Sequence, residues 1–155
     1  MKVAWYNRKF QKGRRDAVVT ESNMYFIGKR PVGSGDPKKK NKKIVQGTPL
    51  ESFVELQCDV NEIEKFSLSK FQDGYVLLFL RNRDKPILIQ LELKTEFCWA
   101  VNKALRKKAN KSLHLTFETQ FNIKVEAKGF FQKKGWKEVK PRIVEFRQQH
   151  GKGSV

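Results

Sequence analysis

Alternation of apolar and polar side chains is the feature that most constrains the fold of this chain. Two segments show it most clearly, with apolar members Val54, Leu56, Cys58 and Val60 in one and Ile87, Ile89, Leu91 and Leu93 in the other. A period of two is typical of strands that bury one face. We therefore expect a mainly β protein in which the apolar residues of each segment point inward.

A third segment, Tyr75–Leu80, is apolar throughout and follows an Asp73-Gly74 dipeptide. An Asp-Gly pair between apolar runs is typical of a hairpin turn, and a run without polar residues is typical of a strand buried on both faces. We therefore predict a central strand here. Further strands are predicted over residues 16–20, 24–29, 62–68, 113–117, 121–125 and 143–146.

One segment, residues 95–109, has helical rather than strand periodicity. Phe97, Val101 and Leu105 recur every four residues, which places them on one face of a helix. Thr95 is the predicted N-cap. About seven strands before a single helix predict a barrel or sandwich plugged at one end by the helix and extended by the strands that follow it.

The charge of the chain predicts a polyanionic partner. Its 155 residues include 33 Lys and Arg against 16 Asp and Glu, a formal net charge of +17. The excess lies in residues 1–43 and 100–155, each with a charge of +10, whereas residues 44–99 carry −3. So large an excess favours binding to an anionic membrane or to nucleic acid. No apolar run reaches the ~20 residues of a membrane span, so any membrane contact is expected to be peripheral.

The sequence contains little that resembles a catalytic or metal-binding site. Its two histidines, His114 and His150, have no Cys, Ser or carboxylate neighbour at a catalytic spacing. Cys58 and Cys98 lack the second pair of ligands that a zinc site needs, and we expect both to be buried reduced thiols. We predict no enzyme activity, no cofactor and no metal.

The first candidate site is a basic cluster near the N-terminus. Its members surround a predicted connection, residues 10–13, between the first two strands. Basic side chains around one turn can grip a headgroup that carries several phosphates, with arginine forks and compact lysine charges. The same pattern is also compatible with an ordinary solvated face. The cluster comprises Arg8, Lys9, Lys12, Arg14 and Arg15.

The second candidate site combines two basic residues at the end of a predicted strand with a predicted basic loop over residues 31–43, which contains two Pro, two Gly and five Lys. Each basic residue close to an anionic leaflet contributes about 1 kcal/mol, so such a loop can support reversible recruitment. A third basic zone that includes residues 106–111 belongs either to the same surface or to another. The members of the second site are Lys29, Arg30, Lys38, Lys39, Lys40, Lys42 and Lys43.

Several segments resemble, in order and spacing, the tail-homology domain of class I myosins. They are residues 14–28 (RRDAVVTESNMYFIG), 65–73 (KFSLSKFQD), 94–97 (KTEF) and 113–125 (LHLTFETQFNIKV). Gly135-Trp136 and Val144-Glu145-Phe146 resemble residues of the long-tailed members. The resemblance covers almost the whole chain, and we expect one domain over residues 1–150 with a flexible end at 151–155.

This resemblance implies an extended pleckstrin-homology-like fold that tethers an actin-based motor to anionic membranes, including those with phosphoinositides. In the family, a basic residue that ends the first strand and an arginine that opens the second form the headgroup signature. Arg15 matches the second position, whereas Trp5 stands at the first, so Lys9, Lys12 and Arg14 are the expected substitutes. The implied location is cytoplasmic, at the plasma membrane or endocytic membranes within the actin cortex.

The motor and light-chain-binding regions of such a myosin are absent from these residues, so the chain is either an excised fragment or a domain that stands alone. Actin and light chains are expected as partners only through the parent chain, to which any ATPase activity would belong, and the domain is expected to be monomeric. Two alternatives to membrane binding remain. One is nonspecific nucleic-acid binding, which the absence of RNA-recognition and helix-turn-helix patterns disfavours, and the other is a protein-interaction module of the cytoskeleton.

Overall fold

The computed structural model describes residues 1–6, 12–32, 49–71, 73–126 and 139–145. These residues form ten strands, one α-helix and a short 3-10 helix at Val60–Glu62. The chain is mainly β, as predicted. In chain order the elements are β1 Lys2–Tyr6, β2 Lys12–Val19, β3 Asn23–Pro31, β4 Leu50–Asp59, β5 Ile63–Ser69, β6 Tyr75–Leu80, β7 Ile87–Gln90, α1 Lys94–Ala109, β8 Leu115–Glu118, β9 Gln120–Glu126 and β10 Val139–Glu145.

Eight strands form one sheet in the order β4-β3-β2-β1-β7-β6-β5-β8, and β9 pairs with β10 in a separate antiparallel sheet. The first seven strands pair antiparallel with their neighbours, and β8 adds to the edge of β5 in parallel. Together with the single helix, this arrangement is consistent with a pleckstrin-homology-like sandwich. The predicted extension by strands after the helix is therefore present, although β9 and β10 form a sheet of their own.

An aromatic cluster joins α1 to the inner face of the main sheet. The Phe97 ring of α1 stacks on Phe66 of β5, with centroids 5.7 Å apart and planes 4° from parallel. Phe26 of β3 lies 6.4 Å from Phe97 and 4.9 Å from Trp5 of β1. All four rings are buried. Because this cluster joins β1, β3, β5 and α1, it connects both halves of the sheet to the helix.

The apolar segment Tyr75–Leu80 is buried on both faces, as predicted for a central strand. Val76 and Leu78 belong to the main core, whereas Leu77 packs with Leu88, Phe121 and other residues on the opposite face. Strand β9 therefore covers the outer face of β6 and β7. Because the main core covers one face of β6 and β9 covers the other, this strand has no polar face.

Four boundary predictions are wrong. Residues 12 and 13 belong to β2 rather than to a connection, and Pro31 is the last residue of β3, paired with Leu50, rather than the start of a loop. The helix begins at Lys94, one residue before the predicted N-cap Thr95, and Leu93 is the capping residue without a side-chain hydrogen bond. Leu93 is consequently 50% exposed instead of inward-facing, because β7 ends at Gln90.

A register shift in β4 overturns a further prediction. Phe26 of β3 pairs with Leu56, but the next residue, Ile27, pairs with Val54, so Glu55 is an extra residue in β4. A bulge of this kind reverses the alternation of the strand. Leu56 and Cys58 face the core as predicted, whereas Val54 is 56% exposed.

The C-terminal end of α1 is attached by its basic residues. Asn110 adopts a left-handed conformation, with φ of 51°, and its backbone N–H bonds to the Arg106 carbonyl. Lys108 pairs with Asp59 and also donates to the Ser22 carbonyl, and Lys107 pairs with Glu21. Two of the basic residues of the third predicted zone are thus engaged within the domain.

Candidate functional site

Two arginines converge on one aromatic ring at the β2-β3-β4 side of the sheet. Arg15 lies between Gly13 and Ala17 in β2, and Arg30 lies near the end of β3. Each guanidinium carbon is 5.4 Å from the centroid of the Phe53 ring in β4. The two positive charges are therefore at most twice that distance apart. Guanidinium groups at this distance from an aromatic ring gain cation–π stabilisation and a fixed orientation.

Strand pairing accounts for this convergence. Arg15 pairs with Val3, whose side chain is buried, so Arg15 points to the same face of the sheet as the core. Along β3, Met24, Phe26 and Gly28 are buried on that face, and alternation places Arg30 there too. The shift at Glu55 brings Phe53 opposite Gly28. The arginines therefore lie where the inner face of the sheet continues beyond the core.

Two carboxylates of β4 complete the arrangement. Glu55 accepts hydrogen bonds from Nη2 of Arg15 at 2.7 Å and from Nε at 3.2 Å, both on its Oε2 atom. Glu51 accepts one from Nε of Arg30 at 2.7 Å. We call these five residues, Arg15, Arg30, Phe53, Glu51 and Glu55, the Phe53 site.

Two glycines provide the space for the Phe53 site. A Cβ atom on Gly28 would lie 2.6 Å from Cζ of Phe53 and 3.0 Å from Nε of Arg15. One on Gly13 would lie 3.0 Å from Nη1 of Arg15. The Phe53 ring consequently rests on the backbone of β3, which brings it within reach of both arginines.

The predicted N-terminal cluster does not converge as one set. Lys12 and Arg14 lie on the face of β2 opposite Arg15, and Lys12 donates to Oε1 of Gln90 at 3.3 Å. In β3, Lys29 likewise points away from Arg30. Of the predicted basic residues, the structure brings together Arg15 from the first site and Arg30 from the second. Arg8, Lys9, Lys38, Lys39, Lys40, Lys42 and Lys43 lie outside the described residues.

Trp5 lies in the core, 6% exposed and packed against Phe26. It therefore offers no charge at the position where the family has a basic residue. Its partner in the β ladder is Gly13, on the same face as Arg15. Arg30 is the basic residue that accompanies Arg15 instead, at a position reached through β3 rather than β1.

The sequence alone did not identify the remaining contributors to this site, which are Phe53, Glu51, Glu55 and the two glycines. One signal was present, because Glu51, Phe53 and Glu55 recur at intervals of two residues. In a regular strand that interval places all three on one face. Their proximity to Arg15 and Arg30 depends on pairing among three strands, which local periodicity does not report.

A second surface of note combines exposed apolar side chains with a shallow groove. Trp99 of α1 is 62% exposed and Phe117 of β8 is 57% exposed. Trp99 also helps to line a groove between α1 and residues 112–115. Lys103 lies over the Trp99 ring, with Nζ 5.1 Å from its centroid.

Other kinds of site are not found in the part of the chain that the structure describes. No group of three or more His, Cys, Asp or Glu side chains within it is arranged to hold a metal ion. None of the described helices has the length and apolarity needed to span a bilayer. Cys58 and Cys98 are buried free thiols, as predicted, and burial raises the pKa of each to about 11.

The fold is that of a mainly β domain of pleckstrin-homology type, with one helix among the described residues and a pair of arginines on the inner face of its sheet. Comparison with known families is consistent with this class. A sequence model of the unconventional myosin tail, described as actin- and lipid-binding, matches residues 1–154. The chain therefore belongs to the unconventional myosin tail family, as its resemblance to the class I tail-homology domain indicated.

Proposed function

We propose that this domain binds anionic phospholipids, phosphatidylserine and phosphoinositides among them, and thereby tethers an actin-based motor to a membrane. The convergence of Arg15 and Arg30 on Phe53 carries the proposal. Arginine forks bind phosphate oxygens in pairs, and a ring beneath them limits the orientations they adopt. The family's description as actin- and lipid-binding supports a lipid ligand in a myosin context.

Long-range charge supports the same function. The chain carries a net charge of +17, which draws the domain to anionic leaflets before any specific contact forms. We infer that the remaining predicted basic residues act mainly in this way, with the Phe53 site supplying the specific contact. The location that follows is peripheral, at the cytoplasmic surface of plasma or endocytic membranes, with actin nearby. The domain itself is proposed to act as a binding module without enzyme activity.

Vesicle sedimentation near physiological salt tests the proposal. The vesicles contain phosphatidylcholine alone, or with phosphatidylserine or phosphatidylinositol bisphosphate at matched surface charge. The wild-type domain should sediment with both anionic compositions and not with the neutral one. Failure to bind either anionic composition would contradict the proposal and favour nucleic acid or a protein as the partner.

A double variant, Arg15→Gln with Arg30→Gln, isolates the Phe53 site from summed charge. Its matched control is Lys65→Gln with Lys103→Gln, which removes the same charge. Lys65 lies over Phe79 and Lys103 over Trp99, so neither contacts the Phe53 site. The first variant should lose clearly more phosphoinositide binding than the control. Equal losses would mean that the ligand is held by net charge and not at this site.

A further inference from the structure

The two arginines of the Phe53 site are not equally available to a ligand. All three side-chain nitrogens of Arg15 have an acceptor, because Nε and Nη2 bond to Glu55 and Nη1 donates to the Arg14 carbonyl at 2.8 Å. For Arg30, Nε bonds to Glu51. Among the described residues, the terminal nitrogens of Arg30 meet no acceptor.

The Arg15–Glu55 pair is also more buried than the Arg30–Glu51 pair. The Arg15 side chain is 18% exposed and its partner Glu55 is 30% exposed, whereas Arg30 and Glu51 are 38% and 40% exposed. An incoming anion can therefore bind the terminal nitrogens of Arg30 without breaking a hydrogen bond to any residue that the structure describes. It can take both N–H groups of the Nε–Nη2 edge of Arg15 only by displacing the Glu55 carboxylate.

This displacement depends on the charge of the ligand. A phosphodiester, as in phosphatidylserine, carries a single negative charge, the same as the carboxylate that it would replace. A phosphomonoester carries about −1.5 to −2 and three strong acceptor oxygens. Exchange of a carboxylate for a diester therefore gains little, whereas exchange for a monoester gains both charge and hydrogen bonds.

We propose that Glu55 is a specificity-determining residue. It admits inositol headgroups with phosphomonoesters to Arg15 and excludes from Arg15 those headgroups whose only phosphate is a singly charged diester. Glu51 acts in the same sense but more weakly, because the terminal nitrogens of Arg30 have no acceptor within the described part of the chain. This inference rests on the proposed function, since it assigns a headgroup class to the same site. The Glu55 carboxylate thus sets the minimum negative charge that a headgroup needs in order to pair with Arg15.

Glu55→Gln tests the inference, because the amide keeps the shape and an acceptor oxygen but removes the competing charge. The same vesicles are used, and the partition coefficient is measured for each composition. Loss of a partly exposed ion pair of this kind corresponds to about a two- to fivefold change in affinity. The partition coefficient for phosphatidylserine vesicles should rise by about that factor, and the one for phosphatidylinositol bisphosphate vesicles should rise less. The preference for phosphatidylinositol bisphosphate, measured as the ratio of the two coefficients, should therefore decrease.

The matched control is Glu64→Gln, an exposed β5 carboxylate outside the Phe53 site that gives the same change in net charge. It should raise binding to both compositions by the same small factor and leave the preference unchanged. Glu51→Gln should reduce the preference for phosphatidylinositol bisphosphate over phosphatidylserine less than Glu55→Gln does. Thermal melting of each variant establishes that the domain remains folded.

The outcomes separate this inference from the proposed function. If wild-type protein binds anionic vesicles through Arg15 and Arg30 but Glu55→Gln leaves the preference unchanged, the role of Glu55 is wrong and the proposed function stands. If wild-type protein binds no anionic vesicle, the proposed function itself fails. Calorimetric titration with soluble inositol trisphosphate gives an independent readout, in which Glu55→Gln should have little effect relative to its effect on phosphatidylserine vesicles.

Discussion

The Phe53 ring occupies the space that a side chain on Gly28 would need. The two residues pair across β3 and β4, and a Cβ atom on Gly28 would lie 2.6 Å from Cζ of Phe53. Since real Cβ contacts are not this short, the ring can keep its place only while residue 28 is glycine. The position of both arginines is consequently linked to one residue that carries no functional group.

Gly28→Ala should therefore weaken membrane binding without unfolding the domain. The new methyl group forces the Phe53 ring away from β3, at a cost of about 1–3 kcal/mol in the free energy of unfolding. Sedimentation with phosphoinositide vesicles should show reduced binding. Gly13→Ala is the comparison, because its methyl group meets only the flexible end of Arg15, 3.0 Å away, and should cost less. Equal binding by wild type and Gly28→Ala would show that the ring position is unimportant.

Phe97→Ala should be among the most destabilising single substitutions in α1. The ring is 1% exposed and stacks on Phe66, so its removal leaves a cavity where helix and sheet meet. Truncation of a buried phenylalanine costs about 3–5 kcal/mol. Urea denaturation followed by fluorescence measures the loss. Phe117→Ala, at a ring that is 57% exposed, should change stability by less than about 0.5 kcal/mol.

Acidification should weaken the attachment of α1 through Asp59. The hydrogen bond from Lys108, followed by that from the Asn61 backbone N–H, lowers the pKa of Asp59 in the folded state. A lowered folded-state pKa stabilises the protein at a pH above the ordinary aspartate value of about 4, and this contribution is lost as the pH falls through the folded-state pKa.

Melting temperatures between pH 7 and pH 3 measure this contribution. Asp59→Asn should melt below wild type at pH 7, and the difference should shrink as the pH falls below about 4. Glu64→Gln serves as the control. A difference between Asp59→Asn and wild type that is constant with pH would rule out the ionised pair as its source.

Both cysteines should resist thiol reagents in the folded protein. Burial raises the pKa of Cys58 and Cys98 to about 11, so few thiolates exist at pH 8, and both residues are less than a tenth exposed. A chromogenic disulfide reagent should label neither residue in native buffer and both in denaturant. Rapid labelling of one thiol without denaturant would indicate local opening around it.

Much of the fold follows from local sequence pattern, because strand alternation and helical periodicity each reflect burial of one face. The mainly β class, the helix and the doubly buried strand Tyr75–Leu80 are confirmed. Predictions failed where pairing between distant strands decides the outcome. Val54 is exposed because β4 gains a residue relative to β3, and this shift cannot be read from β4 alone.

The candidate site was predicted only in part for the same reason. Arg15 and Arg30 were identified by charge, but their convergence requires β2, β3 and β4 to be aligned. Positive charge at Lys12 and Arg14 gave the same signal in the sequence, although both lie on the opposite face. Charge identifies a region of the chain, whereas the face of the sheet determines which residues act together.

The extra residue at Glu55 decides which face of the sheet the first half of β4 presents to the core. A strand has only two faces, so if β4 kept all its residues but paired regularly with β3 through Glu55, Val54 would turn inward, and Phe53 and Glu51 would turn from the arginines toward solvent. Every residue type of the site could then be retained while the site itself disappeared. Within such a family, a change in the pairing of β3 with β4 would alter ligand preference more than many substitutions.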